Sequence, residues 1–443
     1  MEFTFDPDRT ILGTAFTPAG EEVLALTERD RMQHMLVLGK TGRGKTTLLE
    51  NIIVQDIYAG RGVGVIDPHG DLSRALLNHI PSFRARDLVY IDPADEERLV
   101  TINMVACVPR NRIAFVTASV VGAFKAVYGD SWGYRMERIL YNAVAALIEA
   151  PNTSLIGLPK VLKAAEYRAR VLADVHDPMV RDFFASEYEV WKDEYRTTVI
   201  EPVLNKVEQL FASPFLRTTF GSTSSSVDFS EIMDGRKILI ANLSKGTLGA
   251  MHSQLLGAML VSGFANAAMA RGAIDTRKIV PEARVPFGLV VDEFQNFATD
   301  SFAEIFSELR KQKLSAVLSH QYLEQAPVSL RNAVLGNVGT IVAFELSARD
   351  ADAIAPELGL KTGAPLTEQG AGEAWVKHAT FGGPHHPRLL PPIATNATGR
   401  EAALKEHKLR NTFARAHVEE KIRAFLDVNQ RHLPGIRSPR HRH

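Results

Sequence analysis

A glycine-rich loop supplies the residues best suited to phosphate chemistry in this sequence. Residues 39–46, GKTGRGKT in one-letter code, fit the pattern G-x-x-x-x-G-K-[ST] of nucleotide-binding P-loops. Backbone N–H groups and the N-terminus of the following helix can hold a polyphosphate there without bulky side chains. The residues expected to contact the nucleotide are Gly39, Thr41, Gly42, Arg43, Gly44, Lys45, Thr46 and Thr47. Lys45 is expected to reach the β- and γ-phosphates, and the Thr46 hydroxyl to ligate Mg²⁺.

The flanks of this loop have the secondary structure that the motif requires. Residues 34–38 read as a short buried strand, and residues 47–53 read as a helix with one apolar face. A strand, a glycine loop and a helix in that order distinguish a P-loop from a chance glycine turn. His34, just before the loop, is interpreted as structural rather than catalytic.

Two adjacent carboxylates follow another apolar run, in the form of a Walker B element. Residues 287–291 are apolar, and Asp292 and Glu293 come directly after them. Such a strand carries its last side chains to the C-terminal edge of a parallel sheet, where ligands bind in open α/β folds. Asp292 is expected to hold Mg²⁺, directly or through water, and Glu293 to polarise the water that attacks the γ-phosphorus.

Two further residues are candidates for catalysis. Gln321 ends the next predicted strand, where an amide can sense the γ-phosphate or orient water, although a surface turn residue is the alternative. Arg310 lies on the intervening helix, beside Lys311 and Lys313. An arginine can stabilise transition-state charge in cis or from a neighbouring subunit, and a solvated helix face is the alternative interpretation.

His69 and Asp71 follow the predicted strand of residues 62–66 and face the same sheet edge. Their spacing is a weak metal-binding pattern. The segment is therefore interpreted as a turn that shapes the nucleotide pocket.

Composition places the chain among soluble globular proteins. It has 443 residues, of which 45% are hydrophobic and 23% are charged, and its formal net charge is zero. The length allows two or three domains, and the neutral balance means that any nucleic-acid surface must be local. Cys107 is the single cysteine, so no intrachain disulfide can form. It is interpreted as a small buried side chain rather than a nucleophile.

The sequence shows neither a secretion signal nor a transmembrane segment. No run of eighteen apolar residues occurs, and the N-terminus lacks the basic and apolar regions of a secretion signal. These observations predict a cytoplasmic protein without a transmembrane segment of its own, which would reach a membrane only through a partner.

The pattern of predicted elements changes along the chain. Alternating strands and helices predict a parallel sheet in residues 1–110 and again in 230–398, whereas residues 111–229 show helical periodicity alone. Residues 399–443 form a basic tail with eleven Lys and Arg against five acids, one predicted amphipathic helix and a disordered end. This organisation predicts an α/β fold interrupted by an all-helical insertion.

The sequence resembles the HerA–FtsK superfamily of DNA-pumping ATPases. Within it, the chain is most similar to the TraG/TraD-type conjugative DNA-transfer and type IV secretion ATPases. The resemblance covers roughly residues 30–350. It is carried by residues 31–42, 65–72, 130–137, 240–246 and 292–295, and by Arg310-Lys311 followed by Ser319-His320-Gln321. The Asp-Pro-His-Gly-Asp element at residues 67–71 is more specific than the P-loop.

This resemblance implies a RecA-like P-loop ATPase core, a mainly parallel central sheet and an inserted all-helical domain. It implies a ring, usually a homo-hexamer, with ATP at subunit interfaces and DNA in the central channel. It assigns Lys45 and Thr46 to nucleotide, Asp292 and Glu293 to Mg²⁺ and water, and Gln321 to γ-phosphate sensing. Arg310, eleven residues before Gln321, matches the trans-acting arginine finger.

Two departures from the family pattern affect the expected setting. The chain has neither the N-terminal transmembrane helices of membrane-bound coupling proteins nor the long N-terminal domain of the pilus-assembly ATPases. It is therefore interpreted as a minimal soluble motor, and a place at a secretion pore is less well supported.

Three functions remain open from the sequence. The leading hypothesis is an ATP-driven ring that translocates DNA, single- or double-stranded. The second is a type IV secretion or pilus-assembly ATPase that acts on protein. The third is an ATP-gated scaffold subunit of a defence complex. A secretion component, a relaxosome or an effector protein is the corresponding partner, and the basic tail is expected either to grip DNA or a partner or to be solvated.

Overall fold

The computed structural model of the chain describes residues 5–17, 20–106, 108–272 and 284–427. Cys107 and the last residues of the basic tail lie outside the described residues. The described residues form fourteen strands, arranged in one large sheet and two small ones. The strands are β1 Arg9–Thr17, β2 Gly20–Thr27, β3 Met35–Leu38, β4 Gly62–Asp67, β5 Leu88–Ile91, β6 Arg98–Leu99, β7 Ile238–Asn242, β8 Phe287–Val291, β9 Leu314–His320, β10 Thr340–Ala343, β11 Trp375–His378, β12 Gly383–His385, β13 Arg388–Leu389 and β14 Phe413–Ala414.

The central sheet has nine strands in the order β12-β11-β10-β3-β9-β8-β4-β7-β5. Neighbouring strands run parallel from β10 across to β5, and β11 and β12 add two antiparallel strands at one edge. The predicted α/β fold with a mainly parallel central sheet is confirmed. A second sheet, β13-β1-β2, and a short β14-β6 pair lie outside it.

Nineteen α-helices are assigned in the described residues, together with shorter helical turns. They are α1 Glu28–Arg31, α2 Lys45–Tyr58, α3 Asp71–Leu77, α4 Ile113–Tyr128, α5 Tyr134–Glu149, α6 Leu158–Lys163, α7 Ala165–Ala173, α8 Pro178–Asp182, α9 Asp193–Phe211, α10 Pro214–Gly221, α11 Phe229–Asp234, α12 Lys245–Leu248, α13 Ala250–Gly272, α14 Asp300–Leu309, α15 Val328–Leu335, α16 Ala348–Leu358, α17 Ala364–Thr367, α18 Arg400–Arg410 and α19 Arg415–Leu426. Between β6 and β7 the described residues form helices and no strand.

Each face of the central sheet packs against its own apolar core. In β3, Leu36 and Leu38 belong to one core, whereas Met35 and Val37 belong to the other. This alternation follows from the two-residue period of a strand. Because both faces are covered, the central strands read as continuous apolar runs, as expected for a buried parallel sheet.

Helix α13 is the one described helix that is long and apolar enough to cross a membrane. Its apolar window is 78% buried inside the protein, packed chiefly against α4. The helix therefore serves as a core helix of this fold.

The C-terminal segment differs from the single amphipathic helix predicted for it. Two helices, α18 and α19, are joined by β14, which pairs with β6. The Asn411 side chain donates a hydrogen bond of 2.9 Å to the carbonyl of Leu88 in edge strand β5. On α19, Val418 and Ile422 are buried in a small apolar cluster with Ile156. Because charged residues dominate this segment, its few apolar residues were not predicted to be buried. Their contacts pack residues 400–427 against the rest of the fold.

We expect Ile422→Ala to lower the free energy of unfolding by about 2–5 kcal/mol, the cost typical of truncating a buried isoleucine. Leu409→Ala is the matched control, because Leu409 on α18 is 66% exposed. Urea unfolding followed by circular dichroism measures both variants. Equal, small effects of the two substitutions would contradict the packing of this segment onto the fold.

Candidate functional site

The P-loop joins β3 to α2 in a conformation that requires glycine. Gly39, Gly42 and Gly44 have φ angles of 156°, 76° and 116°, in the region that side chains disfavour. A Cβ atom on Gly39 would lie 2.5 Å from the Cβ of Phe344. The N–H groups of Gly39 and Lys40 are paired with the carbonyls of His320 and Glu345, and the N–H groups of residues 41–44 are left to bind a phosphate.

Lys45 is buried at the start of α2. Its Nζ donates hydrogen bonds to the carbonyl oxygens of Gly39 at 2.5 Å and Lys40 at 3.2 Å. Burial lowers the pKa of Lys45, while the nearby carboxylates of Glu293 and Asp292 act in the opposite direction. The lysine thus lies within electrostatic reach of both acids.

Arg43 and Lys40 both engage Glu345, which lies just beyond the end of β10. Each cation forms an ion pair of 2.6 Å with this carboxylate. The hydrogen bond from Lys40, aided by the charge of Arg43, lowers the pKa of Glu345. The Arg43 side chain is therefore engaged by Glu345, and contact of Arg43 with a nucleotide stays a prediction.

The two acids follow β8 at the C-terminal edge of the sheet. Asp292 is 6% exposed, and its backbone N–H donates to the Ile66 carbonyl at 3.0 Å. Burial, reinforced by the charges of Glu293 and Asp67, raises the pKa of Asp292. A carboxylate in this position gains from a bound cation, because the cation restores the stabilisation that burial removes.

Glu293 has a left-handed backbone conformation, with φ of 47°. This conformation costs a non-glycine residue roughly 1–2 kcal/mol, and such strain is concentrated at functional sites. Gln295 Nε2 donates to Glu293 Oε2 at 2.7 Å, and Asn296 Nδ2 donates to the Glu293 carbonyl at 3.0 Å. These bonds hold the glutamate in place at the edge of the cavity.

Gln321 comes directly after β9 and faces the P-loop. Its side-chain Nε2 donates a hydrogen bond to Oγ1 of Thr41. The preceding His320 is buried, and burial together with the charge of Lys45 lowers its pKa to about 4. His320 is therefore neutral at physiological pH and adds no charge behind the loop.

One cavity of about 500 Å³ brings these groups together. It is lined by Thr41, Gly42, Gly44, Lys45, Thr46, Thr47, His69, Lys245, Asp292, Glu293, Gln295, Asn296 and Gln321. Lys245, Gln295 and Asn296 were not predicted as site residues. Their positions directly after β7 and β8, at the ligand-binding edge of a parallel sheet, are the signal that would have identified them.

The turn after β4 forms the wall of the cavity around His69. The Asp67 carboxylate is fully buried and accepts hydrogen bonds from the backbone N–H groups of His69 at 2.9 Å and Ser73 at 2.8 Å. The described residues contain no group of three His, Cys, Asp or Glu side chains that could hold a metal by themselves. A metal ion here would need ligands from the nucleotide, which is how Mg²⁺ is usually bound beside phosphates.

Arg310 lies at the end of the sheet where the parallel strands begin, whereas this cavity lies where they end. It precedes β9, whereas Gln321 follows that strand. It lines a separate cavity of about 640 Å³ that also contains Lys311, Lys313 and His34. Ring contact with Phe306 at 4.5 Å and a hydrogen bond of 3.1 Å from the Ala316 N–H fix His34. Arg310 therefore does not line the cavity at the P-loop.

Solved structures with the same fold include proteins of bacterial conjugation. The unbound form of the bacterial conjugative coupling protein TrwB has a TM-score of 0.62 at 14% identity, with 85% of this chain and 88% of that chain covered. TrwB in complex with ADP and Mg²⁺ has a TM-score of 0.61 at 14% identity, covering 91% and 99%. VirB4 of Thermoanaerobacter pseudethanolicus has a TM-score of 0.56 at 13% identity, covering 89% and 99%. No curated protein sequence matches the chain.

The family comparison covers the P-loop, the Asp67 turn and the helical segment. The family model described as the central domain of helicase HerA matches residues 19–260, more than half of the 443 residues. The predicted HerA–FtsK-type resemblance is confirmed: this chain belongs to the family of the helicase HerA central domain.

Proposed function

We propose that the protein is a motor ATPase that binds ATP with Mg²⁺ and hydrolyses it to drive translocation of DNA. The observation that carries the proposal is the convergence of the P-loop, Asp292, Glu293 and Gln321 on one cavity. Phosphoryl transfer requires mainly positioning and charge neutralisation, and these groups supply both. The complex of TrwB with ADP and Mg²⁺ supports the choice of ligand.

The residues present fit a magnesium ion bound beside the nucleotide phosphates. Thr46 and Asp292 line the cavity and would hold it, since hydroxyl and carboxylate oxygens are its preferred protein ligands. When bound, the ion neutralises charge on the β- and γ-phosphates. Glu293 orients the attacking water and accepts its proton, Lys45 binds the terminal phosphates, and Gln321 contacts the γ-phosphate.

Arg310 acts in trans in this proposal. Its place at the far edge of the sheet supports contact with the nucleotide of an adjacent subunit, because a ring brings opposite edges of neighbouring copies together. The basic cavity around Arg310 is suited to that role. The protein therefore works as a homo-oligomeric ring, with six subunits as the proposed number.

DNA is the proposed substrate, in keeping with family membership and with the fold shared with TrwB. The same proposal includes a cytoplasmic location and partners from a type IV secretion system. It also includes domain boundaries at residues 110, 229 and 398. The absence of strands between β6 and β7 in the described structure supports the boundaries at 110 and 229.

Stimulation of ATP hydrolysis by DNA tests the proposed substrate. We expect DNA to raise turnover of the assembled protein at low salt. The effect should fall as salt rises, because binding to phosphates releases counterions. Phosphate release is measured with single-stranded DNA, double-stranded DNA and no DNA. An assembled ring that hydrolyses ATP and gives the same rate in all three arms would favour a protein substrate or a scaffold role.

Lys45→Ala and Glu293→Gln separate binding from chemistry. Lys45→Ala should abolish ATP binding, because it removes the cation of the P-loop. Glu293→Gln should retain ATP binding and lower kcat by roughly 10²–10⁴-fold, the range typical of losing a general base. Isothermal titration with ATP and a phosphate-release assay measure the two effects. Normal turnover in Glu293→Gln would show that another group activates the water.

Arg310→Ala tests action between subunits. Alone it should bind ATP normally and lower turnover by roughly 10³–10⁵-fold, as for loss of an arginine finger. Mixing it with Lys45→Ala subunits should restore part of the activity, because some interfaces then pair an intact P-loop with an intact arginine. Fluorescence energy transfer between labelled subunits verifies mixed assembly. No recovery in verified mixed rings would contradict the trans role.

A further inference from the structure

Lys245 is a cation on the wall of the ATP cavity that the roles proposed above leave unused. It is the first residue of α12, directly after the loop that leaves β7, and it lines the same cavity as Lys45 and Glu293. Strand β7 is separated from β3 by β9, β8 and β4. Four strand spacings amount to roughly 19 Å, so Lys245 approaches the cavity from the side opposite the P-loop.

The backbone around Lys245 is fixed by the turn after β4. Its N–H donates to the Pro68 carbonyl at 3.2 Å, and the Leu243 N–H donates to the Asp67 carbonyl at 2.8 Å. Ser253 Oγ donates to the Leu243 carbonyl at 2.7 Å from α13. The lysine therefore projects from a rigid support rather than from a free loop, which is the condition for positioning a charge in a site.

Within the described structure, no hydrogen bond or ion pair engages the ammonium group of Lys245. Two other half-buried cations near the cavity, Lys40 and Arg43, are both engaged by Glu345. The Glu293 carboxylate accepts from Gln295 instead of from Lys245. A half-buried cation without a carboxylate partner, on the wall of a phosphate-binding cavity, is suited to bind an anion.

We infer that Lys245 binds the terminal phosphate from the side away from the P-loop and retains it as inorganic phosphate after hydrolysis. This inference rests on the proposed ATPase function. In that reaction, water adds to the γ-phosphorus and loses a proton to Glu293. The bond from the γ-phosphorus to the bridging oxygen breaks, and the electron pair stays with ADP. The released phosphate keeps the two negative charges of the γ-phosphate but is no longer held by a bond to ADP, and Lys245 lies on the wall toward which it can move.

Selectivity between ATP and ADP tests the inference. In the Glu293→Gln background, Lys245→Met should weaken ATP binding about tenfold, equivalent to about 1.4 kcal/mol. ADP binding should be unchanged, because ADP lacks the terminal phosphate. In the otherwise wild-type protein, Lys245→Met should weaken inhibition of turnover by inorganic phosphate by a similar factor. Lys245→Arg should retain ATP selectivity, and Lys361→Met, at an exposed position, is the matched charge control.

Two results would overturn the assignment of Lys245. Equal loss of ATP and ADP binding would show that the lysine only supports the turn around Pro68. Unchanged ATP selectivity and unchanged phosphate inhibition would show that it contacts neither species. Absence of turnover in the wild-type protein would instead contradict the proposed ATPase function, so the two failures are distinguishable.

Discussion

The parallel register of five neighbouring strands is the constraint on which the site depends. Strands β3, β9, β8, β4 and β7 lie side by side, and their C-terminal ends meet at one edge. In this register Leu38 pairs with His320, and Ile66 pairs with Val291. The residues that come next in each chain segment therefore converge. A slip of one residue would turn the side chains of a strand to the other face and separate the P-loop from Asp292.

The charges at this edge are poised for a ligand that is both anionic and metal-bound. Burial lowers the pKa of Lys45 and raises the pKa of Asp292, so each group is less stable in its charged form than it would be in water. A phosphate and a divalent cation would compensate both groups at once. The strained backbone of Glu293 and the hydrogen bond from Gln295 hold a third charge beside them. Binding energy in this site therefore comes from compensating charges that the fold has already buried.

The opposite edge of the sheet carries a second, basic cavity around Arg310. Arg310 comes four residues before β9 begins and Gln321 comes directly after it ends, so this strand spans from one cavity to the other. His34 lines the cavity around Arg310. It packs on Phe306 of α14 and accepts a hydrogen bond from the β9 backbone. Burial, with a smaller contribution from the charge of Arg310, lowers the pKa of His34 to about 4, so it packs there as a neutral ring. Strand β9 therefore connects the two cavities directly.

The sequence by itself determined the fold class and the chemistry at the two motifs. The P-loop and the Asp292–Glu293 pair are local patterns, because their glycine spacing and their apolar flanks depend only on residues close in the chain. Tertiary structure alone decided which distant residues share the cavity. Lys245 begins α12, which a helical segment separates from the P-loop in sequence, and only strand order brings the two together. The same holds for the ion pair between Arg43 and Glu345, and for the C-terminal helices, whose few buried side chains were concealed by their charged neighbours. Periodicity reports local structure, whereas ion pairing and packing depend on contacts between segments that are distant in sequence.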